Sequence, residues 1–114
     1  MALKTIPLDV YNLDKLDDIK SIIERVAFSS EWIKAFRKGV VKTKTLDVGE
    51  IIRRTNTNVL IIHGEKDFRF PASVAIKLHG LLPQTTLVIM ANVGHLAHLE
   101  EQDKWVDEIN KFLN

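Results

Sequence analysis

The sequence predicts an α/β protein in which a helical first half precedes a parallel β-α-β-α unit. Two continuous runs of β-branched and aliphatic residues, 59–62 and 86–90, are typical of parallel strands that are buried on both faces. Helical patterns lie between these runs and after the second one. Two strands joined through a helix are expected to be parallel, with a right-handed crossover.

The second half contains clear signals for the ends of these elements. The first strand stops at His63-Gly64 and leads into a polar loop that ends at Asp67. Pro71 suits the first turn of the crossover helix, which Pro83 closes. The last helix is indicated by one apolar stripe, which consists of Trp105, Val106, Ile109, Phe112 and Leu113.

The first half has the spacing of amphipathic helices and no visible strand. A first helix is predicted from apolar residues three and four positions apart, namely Leu13, Leu16, Ile19, Ile23 and Val26. Ser29 and Ser30 can cap a second helix, which carries Trp32, Phe36 and Val40 and ends near Gly39.

A third short helix is predicted from the capping-box spacing of Asp47 and Glu50, and it would run through Ile51 and Ile52. We therefore divide the chain into a helical segment, residues 1–55, and a β-α-β-α segment, residues 56–114, that together form one compact unit.

Composition excludes several classes of protein. The chain has 114 residues, a net charge of +1 and no cysteine, so one domain is expected, without disulfides, thiolate metal sites or a Cys nucleophile. The even charge balance argues against nucleic-acid binding driven by bulk charge. No apolar run is long enough to cross a bilayer, so we expect a cytoplasmic protein without a membrane partner.

Two side chains follow the predicted strands where functional groups collect in parallel sheets. Asp67 comes just after the first strand and His95 just after the second. A carboxylate that faces an imidazole can fix its tautomer while the other ring nitrogen acts as a base. The residues alone leave a second interpretation open, in which Asp67 caps a loop or helix and His95 is an ordinary loop histidine.

Residues 56–114 resemble the C-terminal end of an α/β-hydrolase. The resemblance rests on a buried strand followed by Gly64-Glu65-Lys66-Asp67, a helix near Pro71, a Gly94-His95 turn and a final helix ending in Phe112-Leu113. It implies a partial α/β-hydrolase fold with Asp67 as the triad acid and His95 as the triad base. The first half is compatible with the helical cap of such hydrolases.

The sequence departs from the family pattern in two ways. Gln102 stands where a Pro often follows the Glu after the Gly-His turn. More importantly, no Gly-x-Ser-x-Gly nucleophile elbow is present, and Ser73, in the first turn of the crossover helix, is expected to be a surface residue. The resemblance thus implies an ester-type hydrolase that lacks its nucleophile, and at most trace esterase activity from this chain alone.

Two strands are few for such a fold, and their open edges attract other chains. The chain is expected to be a fragment of a larger ester hydrolase, with a small ester as substrate, or a truncated relative, and in either case to self-associate. The alternative is a non-catalytic module that acts in assembly or partner binding. No cofactor is expected.

The remaining candidate features have ordinary explanations. His95 and His98 have a spacing that suits metal binding, but the hydrolase resemblance explains this segment better, so no metal is predicted. His63 is expected to pack beside the Asp67 loop and His79 to be exposed. The basic residues could meet an anionic partner, although a solvated helix face explains them better; they are Lys34, Arg37, Lys38, Lys42 and Lys44.

Trp32 and Phe36, one helical turn apart, are expected in the core or an interface. The alternative is that they line an acyl pocket within the cap-like segment.

Overall fold

The computed structural model describes residues 6–27, 29–41 and 46–114. Short 3-10 turns, Ile6–Leu8 and Leu13–Lys15, precede the first α-helix. The helices and strands follow in the order α1 (Leu16–Glu24), α2 (Ser30–Arg37), α3 (Val48–Thr55), β1 (Val59–Gly64), α4 (Ala72–Leu81), β2 (Thr85–Met90), α5 (Ala97–Glu100) and α6 (Gln102–Leu113).

The strands β1 and β2 form a parallel pair, as the sequence predicts. Val59 lies opposite Thr85 at the start of the pair and Gly64 opposite Met90 at its end. Both strands therefore stop at the same edge of the sheet, and the loops that follow them begin side by side.

The helices α4 and α6 contact opposite faces of this pair. Ile62 and Val88 pack with Trp105 of α6, and Ile61 lies beside Val74 of α4. The strand side chains are half-buried rather than buried on both faces, so that prediction is wrong for this chain. The reason is that, within the described residues, β1 has a strand neighbour on one edge alone.

Residues 6–19 pack onto the loop after β2. Ile6, Val10 and Ile19 form a buried cluster, and Leu96 and Leu99 pack against it. This cluster joins the first half of the chain to the end of the sheet where the two strand loops meet.

The helix caps predicted in the first half are present. The Ser29 hydroxyl accepts a hydrogen bond from the Trp32 N–H, and the Asp47 carboxylate accepts one from the Glu50 N–H. The expectation that Trp32 and Phe36 lie in the core is wrong, because both side chains are at least half exposed. They lie on α2, which has no buried residue.

Several helix boundaries differ from prediction, and α1 ends at Glu24, before Val26. Leu13 lies in a 3-10 turn before α1, and α2 ends at Arg37, so that Val40 lies beyond it after Gly39. Pro71 precedes α4 in an extended conformation instead of entering its first turn. No helix in the described parts of the chain is long and apolar enough to span a membrane.

Candidate active site

The loops after β1 and β2 are joined by backbone hydrogen bonds. The Glu65 N–H donates to the Met90 carbonyl over 2.8 Å, and the Lys66 N–H donates to the Val93 carbonyl over 2.8 Å. We call residues 65–71 the Asp67 loop and residues 91–96 the His95 loop. Their position follows from the parallel pairing, because both strands end at the same edge of the sheet.

The Asp67 carboxylate is buried and fully engaged. Its Oδ1 accepts hydrogen bonds from the backbone N–H groups of Arg69 and Phe70, at 2.8 and 3.0 Å. Its Oδ2 lies 2.9 Å from Nδ1 of His95. The side chain is only 4% exposed, so these partners replace water and fix the direction of the carboxylate.

The surroundings favour the ionised form of Asp67. Burial alone raises its pKa, but the hydrogen bonds from the Phe70 N–H, from His95 and from the Arg69 N–H together outweigh that effect. The pKa of Asp67 therefore lies below its ordinary value. An ionised carboxylate can only accept, so Nδ1 of His95 carries the proton in this pair.

The His95 ring is held at Nδ1 and is partly exposed. Nδ1 faces Asp67, and the Phe70 ring lies beside the imidazole with 5.8 Å between the ring centroids. The side chain is 33% exposed. With the proton on Nδ1, the lone pair of the neutral imidazole is on Nε2, which is the atom that can take a proton from a reacting group.

A shallow depression of about 350 Å³ adjoins this pair. Ile61 of β1, Val74 and Leu78 of α4 and the ring of Phe70 supply its apolar lining, while Asp67 and His95 lie at its polar end. An apolar cavity with a few convergent polar groups is the usual form of a small-molecule site.

His63 and His79, whose surroundings were also predicted from the sequence, differ in their contacts. Nε2 of His63 is 2.7 Å from the Phe70 carbonyl and 3.5 Å from Oδ2 of Asp67, so His63 does pack beside the Asp67 loop. The prediction that His79 is exposed is wrong. This side chain is half-buried, and its Nδ1 lies 2.9 Å from the Thr85 hydroxyl between α4 and β2.

Three charged residues near the site were not predicted from the sequence. Glu100 is 2% exposed, and its carboxylate accepts hydrogen bonds from the N–H groups of Tyr11 and Asn12. Asp9 is buried and forms a two-pronged ion pair with the Arg69 guanidinium. The partners lie far apart in the sequence, and no local pattern or spacing indicates either contact.

The other sequence candidates do not join the Asp67–His95 pair. Ser73 is exposed in the first turn of α4, and the His98 ring lies 5.9 Å from the Trp105 ring. Among residues 6–27, 29–41 and 46–114, no cluster of three or more His, Asp or Glu side chains is placed to hold a metal ion. In the basic stretch, Lys42 and Lys44 lie outside the described residues.

The chain therefore has a hydrogen-bonded carboxylate and imidazole at the carboxyl edge of a parallel α/β sheet. A family model of the alpha/beta hydrolase fold matches residues 10–102, and the chain belongs to this family. Searches of curated proteins and of solved structures gave no significant match. The family match includes most of the helical first half, beyond the segment whose motifs carried the resemblance.

Proposed function

We propose that this chain supplies the acid and the base of an ester hydrolase, with Asp67 as the acid and His95 as the general base. The supporting observation is the 2.9 Å hydrogen bond between Oδ2 of Asp67 and Nδ1 of His95, which engages Nδ1 and leaves Nε2 as the basic nitrogen of a partly exposed ring. The nucleophile would come from polypeptide outside these 114 residues, because the chain has no Gly-x-Ser-x-Gly elbow.

The proposed chemistry uses the one ring nitrogen that the pair leaves available, Nε2 of His95. Nε2 of His95 would take the proton of a nucleophilic hydroxyl as that oxygen attacks the ester carbonyl, and would then give the proton to the leaving alkoxide. Asp67 would hold the ring in the Nδ1-protonated tautomer and stabilise the imidazolium that forms. Its lowered pKa keeps the carboxylate charged throughout this exchange.

The depression beside the pair suits an ester with an apolar portion. Ile61, Val74 and Leu78 can contact a hydrocarbon chain while the carbonyl group lies near His95. In this proposal residues 1–55 act as a cap over the site. Trp32 and Phe36, which are exposed on α2, would then line an acyl pocket.

The test is acylation of the isolated chain by p-nitrophenyl acetate. Without a positioned nucleophile, we expect slow p-nitrophenolate release in which Nε2 of His95 itself attacks the ester. His95→Ala should remove most of this release. Asp67→Asn should reduce it at least several-fold, because the imidazole loses the partner that fixes its tautomer.

Two matched variants serve as controls. His98→Ala removes an exposed histidine three residues from His95, and Ser73→Ala removes an exposed serine in the first turn of α4. Neither should change the rate. Rapid turnover that Ser73→Ala abolishes would show that the chain has its own nucleophile, and release that His95→Ala leaves intact would refute the assignment of the base.

A second candidate is a non-catalytic module that self-associates, and the free edge of β1 favours it. Apolar side chains flank this edge on both faces, with Leu60 and Phe112 on one side and Val74 and Leu78 on the other. Two copies related by a twofold axis could pair their β1 edges antiparallel and form a four-stranded sheet.

Light scattering at micromolar concentration tests this candidate. We expect a dimer that Leu60→Lys dissociates, since Leu60 lies on the edge strand. Val40→Lys, at an exposed position beyond α2, is the matched control and should leave the dimer unchanged. A single monomeric species of the unmodified chain would contradict self-association.

A further inference from the structure

Asp9 contacts both loops of the candidate site at once. Its carboxylate pairs with the guanidinium of Arg69, with Oδ2 of Asp9 2.9 Å from Nη2 of Arg69. Its backbone carbonyl accepts a hydrogen bond from the Leu96 N–H over 3.1 Å. Arg69 is two residues after Asp67, and Leu96 is the residue after His95. Asp9 therefore contacts the Asp67 loop through its side chain and the His95 loop through its backbone carbonyl.

The segment that carries Asp9 is itself firmly held. Asp9 is 6% exposed and lies between the buried residues Ile6 and Val10. The Glu100 carboxylate accepts the N–H groups of Tyr11 and Asn12, which fixes the next residues of the segment to the end of α5. Asp9 therefore has a defined position from which to hold the loops.

The backbone of the His95 loop comes unusually close to Asp9. A Cβ atom at position 94 would lie 2.5 Å from the Asp9 carbonyl oxygen and 3.0 Å from the Tyr11 nitrogen. Gly94 thus allows the residue before His95 to pack directly against this segment. The contact places the His95 loop within reach of the same residue that holds Arg69.

We propose that Asp9 is a positioning residue that sets the separation of Asp67 and His95, by pairing with Arg69 on one loop and accepting the Leu96 N–H on the other. The catalytic use of the Asp67–His95 pair rests on the function proposed above, whereas its positioning by Asp9 is argued from the contacts of Asp9 alone. A fork-to-fork pair between a guanidinium and a carboxylate gives directional as well as electrostatic restraint.

The restraint reaches Asp67 through the backbone. The Arg69 N–H donates to Oδ1 of Asp67, while the Arg69 side chain is held by Asp9. When Asp9 loses its charge and one acceptor, Arg69 is no longer held and the Asp67 loop can shift. A shift of the carboxylate relative to His95 would release Nδ1, and the neutral ring would then populate both tautomers.

The test is the ¹⁵N NMR spectrum of the His95 ring, recorded where the imidazole is neutral. In the unmodified chain we expect the shifts of an Nδ1-protonated tautomer. Asp9→Asn and Arg69→Gln should each move these shifts towards the mixed tautomers of a free imidazole. The double variant should move them no further, because both changes break the same pair. Asp9→Glu, which keeps the charge, should restore them at least in part.

The controls separate positioning from general stability. Asp14→Asn, on an exposed 3-10 turn, should leave the His95 shifts unchanged. Arg69→Gln provides a second reading if Asp9→Asn does not fold, since the Arg69 side chain is 41% exposed. Variants that melt earlier yet keep the Nδ1-protonated signature would overturn the proposal and reduce Asp9 to a structural residue.

The same spectra distinguish this proposal from the proposed function. An unmodified chain without the Nδ1-protonated signature would refute the Asp67–His95 pair, and the positioning role with it. A correct signature that responds to Asp9→Asn, together with no acylation of His95 by p-nitrophenyl acetate, would refute the catalytic role while the positioning role stands.

Discussion

The α-carbon of Gly64 faces the carbonyl groups of Val93 and Gly94, so closely that no side chain fits between them. Gly64 is the last residue of β1, and Gly94 directly precedes His95. Backbone therefore meets backbone at the point where the two loops leave the sheet. Asp67 and His95, which lie in these two loops, are hydrogen-bonded although they are 28 residues apart in the sequence.

Gly64→Ala is expected to destabilise the chain strongly. The added methyl group would collide with backbone carbonyls that have no flexible side chain to move aside. We expect a loss of about 2 kcal/mol or more in the free energy of unfolding, measured by urea denaturation. The loops should also separate, with loss of the Nδ1-protonated signature of His95.

Gly80→Ala is the matched control for this change. Gly80 lies within α4, and a Cβ atom there meets nothing within 4 Å. Because alanine favours a helix over glycine, Gly80→Ala should raise the free energy of unfolding by about 0.5–1 kcal/mol. Equal losses from the two variants would contradict the close approach at Gly64.

Glu100→Gln is expected to loosen the start of the chain from α5. Both carboxylate oxygens of Glu100 accept backbone N–H groups, and an amide would present a donor to one of them. We expect a loss of about 1–3 kcal/mol in the free energy of unfolding. Hydrogen exchange at the Tyr11 and Asn12 amides should accelerate more than exchange in β1.

Glu101→Gln provides the comparison at the next position. Glu101 is only half-buried, and its carboxylate lies 3.7 Å from the exposed ammonium group of Lys104. Such a surface pair contributes little, so this variant should differ from the unmodified chain by no more than about 0.5 kcal/mol. A Glu100→Gln variant with normal exchange at Tyr11 and Asn12 would show that the contact is weak in solution.

The lowered pKa of Asp67 predicts a specific dependence of stability on pH. Its pKa in the folded chain lies below the unfolded value of about 3.9, so the folded state favours the ionised form. The resulting stabilisation is fully present above the unfolded pKa, and is lost as the pH falls through the lower folded pKa.

This dependence is measured by comparing the unmodified chain with Asp67→Asn, which has no titrating group at position 67. The difference in their free energies of unfolding should shrink as the pH is lowered from about 6 to about 2.5. Ser73→Ala, which removes no titrating group, should show a difference that does not vary across the same range. A difference for Asp67→Asn that does not vary with pH would contradict a lowered pKa.

The parallel strands and the meeting of Asp67 with His95 could be predicted because their signals are local. Continuous aliphatic runs mark the strands, and Gly64-x-x-Asp67 and Gly94-His95 mark where each strand ends. Parallel pairing then brings the two loops together, and the resemblance to α/β-hydrolases singles out Asp67 and His95 within them. The caps at Ser29 and Asp47 were predictable for the same reason, since each depends on residues three positions apart.

The contacts that hold the site in place could not be predicted, because the paired residues are far apart in the sequence. Asp9 and Arg69 are 60 residues apart, and Tyr11 and Glu100 are 89 residues apart. Neither pair belongs to a repeating pattern. The burial of the strands was overestimated, because an aliphatic run shows that a strand can be buried but does not show whether other residues cover it. The neighbours that cover it lie elsewhere.

The most direct test of the central claim is the ring ¹⁵N and Hδ1 spectrum of His95 in the unmodified chain and in Asp67→Asn. A hydrogen bond from Nδ1 to the Asp67 carboxylate predicts a proton on Nδ1, a downfield Hδ1 signal that exchanges slowly, and the loss of both in Asp67→Asn. A ring protonated mainly on Nε2 in the unmodified chain, or a spectrum that Asp67→Asn leaves unchanged, would contradict the account.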